Sequence, residues 1–203
     1  LAGSGYRSAT IRNLLDMRSG VKFSEDYLDL NAEVREMEEA MGWRPSSAGH
    51  GPQSMNAYLQ KLEQDREHGG VFNYRSGETD VHGWVCENAA GTRMAELISE
   101  LVWAPINAEY DAEMTCDGVG TAIHDGGMNA TARDVARFGT MLLGDGTLGG
   151  RRVVPEEWLR TSREAGADIR DAFARSASRP FLPGGWYRNK FWWKSRIWPS
   201  WIL

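Results

Sequence analysis

The 203-residue sequence predicts one globular domain built mainly of helices. Its composition, with 41% hydrophobic and 25% charged residues, is ordinary for a globular protein. Apolar residues recur at helical spacing along much of the chain, and no period of 20 to 50 residues repeats. Strand-like segments are few; one is the apolar stretch "GGVFNY" that ends at Tyr74.

Capping residues and apolar periodicity locate the helices. Thr10 and Ser54 are predicted N-caps, Thr131 and Asp134 resemble a capping box, and Pro155 begins a helix. The predicted helices span 10–17, 54–68, 79–90, 92–103, 131–146 and 155–160, with part of 22–45 also helical.

Two helices carry distinct apolar faces. In helix 92–103 the face consists of Met94, Leu97, Ile98, Leu101 and Val102, spaced at i, i+3, i+4, i+7 and i+8. In helix 131–146 we expect Val135, Phe138 and Leu142 to form the buried face.

Charge and cysteine usage exclude several classes of function. The net charge of −5 argues against a dedicated nucleic-acid binder, and no apolar run is long enough to cross a bilayer. The cysteines and histidines match no zinc pattern, so we expect no metal site and no cofactor. Cys86 lies among apolar helical residues and is predicted to be a buried free thiol. Two cysteines fit either cytoplasm or periplasm, with cytoplasm slightly favoured, and the oligomeric state stays open.

Two short stretches match functional motifs in residue type alone, and we interpret both as structural. Ser19-Gly20-Val21-Lys22 fits S-x-x-K, but that motif needs its serine at the start of a helix, whereas here a helix ends before Ser19. Residues 144–149 fit G-x-G-x-x-G, yet they follow a helix instead of a strand, which predicts a turn.

Tyr74 stands where a strand-like segment is predicted to meet a helix. A phenol has an ordinary pKa of about 10, so a catalytic role needs a cationic neighbour and a nucleophile to activate. The alternative is a half-buried packing tyrosine whose hydroxyl has a hydrogen-bond partner.

Five ordered blocks carry a family resemblance. They include "TIRNLLDMRSGV", "FSEDYLDL", "MGWR", "FNYRSGETDVHGWV" and "GGMNATARDVARFGTMLLGDG". The sequence resembles the penicillin-recognising serine hydrolases of the class C β-lactamase type, most of all the 6-aminohexanoate-dimer hydrolases and related esterases and amidases. The resemblance implies an α+β, β-lactamase/transpeptidase-like fold, here incomplete and consisting mostly of the helical lobe with short strands.

The resemblance also implies a site for a small amide or ester substrate. Tyr74-Arg75-Ser76 takes the place of the family's Y-x-N motif, which makes Tyr74 the catalytic proton carrier and Ser76 a substrate-binding residue. Tyr27 and Trp43 match aromatic positions that line the substrate pocket; a surface loop anchored by two aromatics is the alternative.

The sequence departs from the family pattern at both ends. No helix-opening S-x-x-K and no K-T-G or H-x-G strand occurs, and the chain begins with Leu1. We therefore expect residues 1–191 to be a partial hydrolase domain without its nucleophile, followed by an atypical Trp-rich tail at 192–203. The stretch 186–203 is either a strand packed on helices or a chain end outside its native context. Two further alternatives are a non-catalytic relative that acts as a binding or scaffold protein, and an unrelated helical domain.

Overall fold

Helices account for most of the secondary structure in the computed structural model, which describes residues 1–46 and 54–194. The helices are α1 (Ile11–Leu15), α2 (Glu33–Met41), α3 (Met55–Leu59), α4 (Ser76–Ala90), α5 (Met94–Ile98), α6 (Ala132–Leu143), α7 (Glu156–Arg163) and α8 (Ala167–Ala174). A π-helical turn, Ser99–Trp103, continues α5.

The strands form three separate antiparallel ribbons of two strands each. They are β1 (Glu113–Met114) with β2 (Met128–Asn129), β3 (Thr147–Leu148) with β4 (Arg151–Arg152), and β5 (Gly185–Arg188) with β6 (Phe191–Lys194). In the last ribbon Trp186 pairs with Trp193 and Tyr187 with Trp192. This ribbon packs on α8, which supports the interpretation of the Trp-rich stretch as strand as far as Lys194. The remainder, 195–203, lies outside the described residues, and the boundary at 191 stays a prediction.

Two hydrophobic clusters hold the chain together. The larger joins α1, α2, α3 and α4 through fully or nearly buried side chains, among them Leu14, Val34, Met37, Met55, Leu59 and Val81. The smaller gathers around β5 and α8 and consists of Met17, Phe72, Ile169, Phe173, Trp186 and Tyr187. Tyr74 packs against this smaller cluster, so the side of the fold with β5 and β6 is also the side with the predicted site.

Ser19 belongs to the buried interior, which confirms its structural interpretation. Its hydroxyl donates to Glu78 Oε1 at 2.6 Å, and Arg75 Nη1 donates to the same oxygen at 2.8 Å. All three side chains are buried. Gly20 follows at φ +69°, where a Cβ would collide with the Arg66 carbonyl, so the turn after Ser19 requires glycine.

The predicted caps are observed, whereas several helix boundaries differ. Thr10, Ser54 and Thr131 each accept a hydrogen bond from the backbone N–H three residues later. The predicted helix 54–68 is wrong beyond Leu59, because the following residues pair with the N-terminal segments instead: Gly5 donates to the Leu62 carbonyl at 2.6 Å, and Val21 bridges to Gln64. Helix α8 was not predicted from the sequence.

The predicted buried face of helix 131–146 is wrong, and the apolar face of helix 92–103 is not buried either. No residue of α5 or of the π-helical turn is buried, and Val135 is 54% exposed. An open groove of about 550 Å³ is lined from these helices by Ile98, Val102, Val135 and Phe138. Periodicity identifies the apolar side of a helix, but it does not show whether another element covers that side.

Candidate functional site

Tyr74 lies at the end of a segment that is held by other elements rather than by a sheet. The predicted strand before it is wrong: Phe72 N–H donates to the Ala172 carbonyl at 3.3 Å, and Asn73 N–H donates to the Met17 carbonyl at 3.0 Å. Helix α4 then begins at Ser76. The segment is therefore anchored between α8 and the residues after α1, and this fixes the position of Tyr74.

Aromatic rings surround Tyr74 on the side of β5 and β6. Its ring stacks on Trp192 with centroids 5.6 Å apart and an interplanar angle of 28°. It meets Tyr187 edge-on at 6.2 Å. Trp192 itself is 46% exposed, so it can form a wall that a ligand reaches. Sequence reasoning missed Trp192, because it placed this residue in the atypical tail.

Ser76 lies beside Tyr74 and two carboxylates. Its backbone N–H donates to Glu25 Oε1. Its side chain lies close enough to Tyr74, Glu25 and Asp125 to lower the pKa of each. Glu25 and Asp125 were missed from the sequence, although Glu25 lies within "FSEDYLDL", the block that supplied Tyr27.

Burial raises the pKa values of all the acids in this group. For Tyr74 burial is the largest cause, and the charges of Glu25 and Asp125 add to it. Burial likewise raises the pKa of Glu25, against its hydrogen bonds from Ser76. Burial, then Asp80 and then Glu25 raise the pKa of Asp125 to about 7. In the described part of the chain, no lysine or arginine forms an ion pair with Glu25 or Asp125. Arg75, which is paired with Glu78, lowers the pKa of Glu25 through its charge.

Tyr27 and Trp43 border the same carboxylates. Tyr27 is 51% exposed and carries the Arg35 guanidinium 5.5 Å above its ring. The charges of Glu25 and Asp125 raise its pKa after burial. Trp43 is 53% exposed, and its Cη2 lies 3.9 Å from where a Cβ on Gly126 would stand, beside Asp125.

The structure thus places Tyr27, Tyr74 and Ser76 around the same carboxylates, with Trp43 beside the neighbouring Gly126. We call the group of Glu25, Tyr27, Trp43, Tyr74, Ser76 and Asp125 the Tyr74 site. Exposed aromatic rings around a few convergent polar groups are typical of small-molecule sites.

Cys86, by contrast, is a free thiol that is only partly buried, and burial raises its pKa.

Searches for metal ligands and membrane segments were limited to the described residues. Among 1–46 and 54–194, no three His, Cys, Asp or Glu side chains converge in a way that could hold a metal ion. Within the same ranges no helix has the length and apolarity that crossing a membrane requires.

Comparisons with known proteins confirm the family resemblance. The Beta-lactamase family model matches residues 1–202. The 6-aminohexanoate-dimer hydrolase of Paenarthrobacter ureafaciens is 35% identical over 192 residues, which cover 95% of this chain and 48% of that enzyme. The chain therefore spans about half the length of this relative.

Solved structures support the β-lactamase/transpeptidase-like fold. A Bacillus anthracis protein assigned as a 6-aminohexanoate-dimer hydrolase matches with a TM-score of 0.76 and 25% identity, over 91% of this chain and 47% of that one. The octameric penicillin-binding protein homologue of Pyrococcus abyssi matches with a TM-score of 0.59 and 16% identity, over 91% of this chain and 43% of that one. This second likeness bears on the fold alone.

Proposed function

We propose, since this chain belongs to the β-lactamase family, that it forms part of the active site of a serine hydrolase cleaving small amides or esters. The observation that carries the proposal is the placement of Tyr74. Its ring stacks on the half-exposed Trp192, and it stands two residues before Ser76 in the place that the resemblance gives to the family's Y-x-N tyrosine. An isolated packing tyrosine would need none of these surroundings.

The proposed reaction proceeds through an acyl-enzyme. A serine hydroxyl adds to the carbonyl carbon of the substrate while its proton passes to Tyr74. The proton then goes to the leaving amine or alcohol, and water hydrolyses the ester formed with the serine. Ser19 cannot be that nucleophile, because its hydroxyl is buried and donates to Glu78. We infer that the nucleophile is supplied by residues outside this chain.

The aromatic rings of the Tyr74 site suit a flexible alkyl amide or ester. Tyr27, Trp43 and Trp192 expose about half of their surface, which provides apolar contact area with polar atoms at the edges. The 35% identical relative is named for a dimer of 6-aminohexanoate, a linear alkyl amide. A substrate of this class is our first choice, and a short carboxylic ester is the second.

Tyr74→Phe tests the proposal in the protein encoded by the complete reading frame that contains these residues. We expect kcat/KM for the 6-aminohexanoate dimer and for a nitrophenyl ester to fall roughly 10²- to 10⁴-fold, because the proton carrier is lost. Tyr110→Phe is the matched control. This exposed tyrosine contacts Trp103 and Asp134 through its backbone, and loss of its hydroxyl should leave kcat/KM unchanged. The 203 residues alone should hydrolyse neither substrate above background. Full activity of Tyr74→Phe would refute the proposal.

A non-catalytic binding role is the second candidate. It is favoured by one observation: the pKa of Tyr74 is raised, whereas a tyrosine that acts as a base needs a lowered one. Binding of a hexanamide-type ligand, measured by tryptophan fluorescence and without turnover in the complete protein, would support this alternative.

A further inference from the structure

We infer that the buried side chains of Ser19, Arg75 and Glu78 position Tyr74 for its proton transfer. This inference rests on the proposed function, because it concerns the tyrosine that carries the proton in that reaction. A substrate cannot touch any of the three side chains, since all are buried. They act through Tyr74 as positioning residues, and we call them the Ser19 triad.

Arg75 is the middle residue of the Tyr74-Arg75-Ser76 motif, and its side chain lies inside the protein. Its backbone is extended, with φ −148° and ψ 109°. Neighbouring side chains leave an extended backbone on opposite sides. An arginine held inside therefore turns the preceding ring outward, where Tyr74 is only half-buried and stacks on Trp192.

The Arg75 guanidinium joins the residues on both sides of Tyr74. Its Nη1 donates to the Asn73 carbonyl at 3.2 Å and to Glu78 Oε1 at 2.8 Å. Asn73 directly precedes Tyr74, and Glu78 lies in the first turn of α4. One nitrogen atom thus ties the segment before Tyr74 to the helix after it, and a shift of either would move the ring.

Ser19 holds Glu78 from a separate segment of the chain. Its hydroxyl donates to Glu78 Oε1 at 2.6 Å and accepts from the Val21 N–H at 3.3 Å. Glu78 is the third residue of α4, a position from which a glutamate often turns back to cap its own helix. Here the carboxylate binds two side chains instead, and Glu25 takes the first N–H of the helix. The Ser19 triad therefore connects α4 to the turn that follows α1.

Stability alone gives a poor reason for this triad. Burying an arginine and a glutamate costs more than their attraction returns, unless their remaining polar atoms are also hydrogen-bonded. Among the described residues, Arg75 Nε and Glu78 Oε2 are buried and lack such partners. A buried ion pair of this kind is better explained by the conformation that it enforces on the Tyr74 segment.

The test compares kcat with stability in the complete protein. A triple variant, Ser19→Ala with Arg75→Met and Glu78→Leu, replaces the triad by apolar side chains. Such replacements commonly leave stability unchanged or raise it, so we expect a urea midpoint no lower than that of the wild type. For a nitrophenyl ester kcat should fall about 100-fold with little change in KM, because a displacement of about 1 Å at a reacting group has this effect.

Glu78→Gln should give the opposite pattern. Its amide oxygen can still accept from Ser19 and Arg75, although the lost charge lowers stability. This variant should be less stable than the triple variant and yet retain far more of kcat. A purely structural role predicts the reverse order, in which kcat follows stability. Asp171→Leu with Arg175→Met is the matched control; it removes an exposed Arg–Asp pair at α8 and should alter neither quantity.

Fluorine NMR of the complete protein labelled with 3-fluorotyrosine reports the position of Tyr74 without turnover. The Tyr74 resonance, identified by its absence from Tyr74→Phe, should be shifted or broadened in the triple variant, because the ring leaves Trp192. Ser19→Ala keeps the ion pair and should show smaller changes in the resonance and in kcat, so it decides the test if the triple variant does not fold.

An unchanged kcat in the folded triple variant would overturn the inference, and so would an unchanged Tyr74 resonance. The same two results in Ser19→Ala would overturn it where only that variant folds. The proposed function fails separately: in that case Tyr74→Phe itself would be active.

Discussion

Asp125→Asn tests the electrostatics of the Tyr74 site without any turnover, through the free energy of unfolding. Burial, Asp80 and Glu25 raise the pKa of Asp125 from 3.8 to about 7 on folding. A carboxyl of this kind stabilises the fold while protonated, so its contribution is complete below pH 3.8 and is lost as the pH rises through 7. The difference between the two pKa values corresponds to about 4 kcal/mol. Because Glu25 shares in the titration, we expect about 2–4 kcal/mol.

The neutral amide in Asp125→Asn has no proton to lose. The variant should therefore be more stable than the wild type by about 2–4 kcal/mol at pH 8, and within about 1 kcal/mol of it at pH 4.5. Urea unfolding followed by tryptophan fluorescence at pH values between 4.5 and 8.5 measures this difference. Subtracting the two curves cancels every other titrating group, and Asp171→Asn should give a difference that is flat with pH. A difference for Asp125→Asn that changes by less than about 0.5 kcal/mol across the range would refute the raised pKa.

Three further predictions concern the scaffold. Glu78→Gln should lower the free energy of unfolding by about 3–5 kcal/mol in urea titrations, because it leaves the buried Arg75 guanidinium without its charged partner. Glu157→Gln, on an exposed helix face, should leave the free energy of unfolding unchanged. Gly83→Ala should lower the thermal midpoint because its Cβ would overlap a histidine ring, whereas Gly139→Ala, with open space around it, should raise the midpoint. Burial lowers the pKa of His82 to about 4, so its ring resonances in NMR spectra should not titrate between pH 8 and 5; a midpoint near 6.5 would contradict this.

The sequence predicted correctly those features that depend only on residues close together in the chain. Thr10, Ser54 and Thr131 were identified as caps because a cap is a contact between residues three apart, and all three are observed. The end of α3 could not be predicted, since the residues beyond Leu59 are held by strand-like pairing to segments forty or more positions away. The exposure of the apolar face of α6 was not predicted either, because it depends on whether a distant part of the chain covers that face.

The site divides in the same way between local and distant signals. Tyr74 and Ser76 are two residues apart, and a short motif was sufficient to identify both. Glu25 and Asp125 are one hundred positions apart in the sequence, yet in the fold the charge of Glu25 helps to raise the pKa of Asp125. Neither carboxylate has a spacing that marks it out, so only the three-dimensional arrangement shows that both lie near Ser76.

Buried carboxylates elsewhere in this protein separate structural roles from the role proposed for the Tyr74 site. Asp16 accepts from Arg188 at 2.6 Å and from the Asn189 N–H at 3.2 Å, and Asp134 accepts from two backbone N–H groups. Each is satisfied, as a buried charge must be if it serves the fold. Glu78 is paired through Oε1 with Ser19 and Arg75, although its buried Oε2 has no partner in the described structure. Asp125 also keeps a buried oxygen without a partner there, and unlike Glu78 it forms no ion pair with a described lysine or arginine. A buried carboxylate without a counter-charge has no evident role in the fold, and this sets Asp125 apart as a candidate for chemistry.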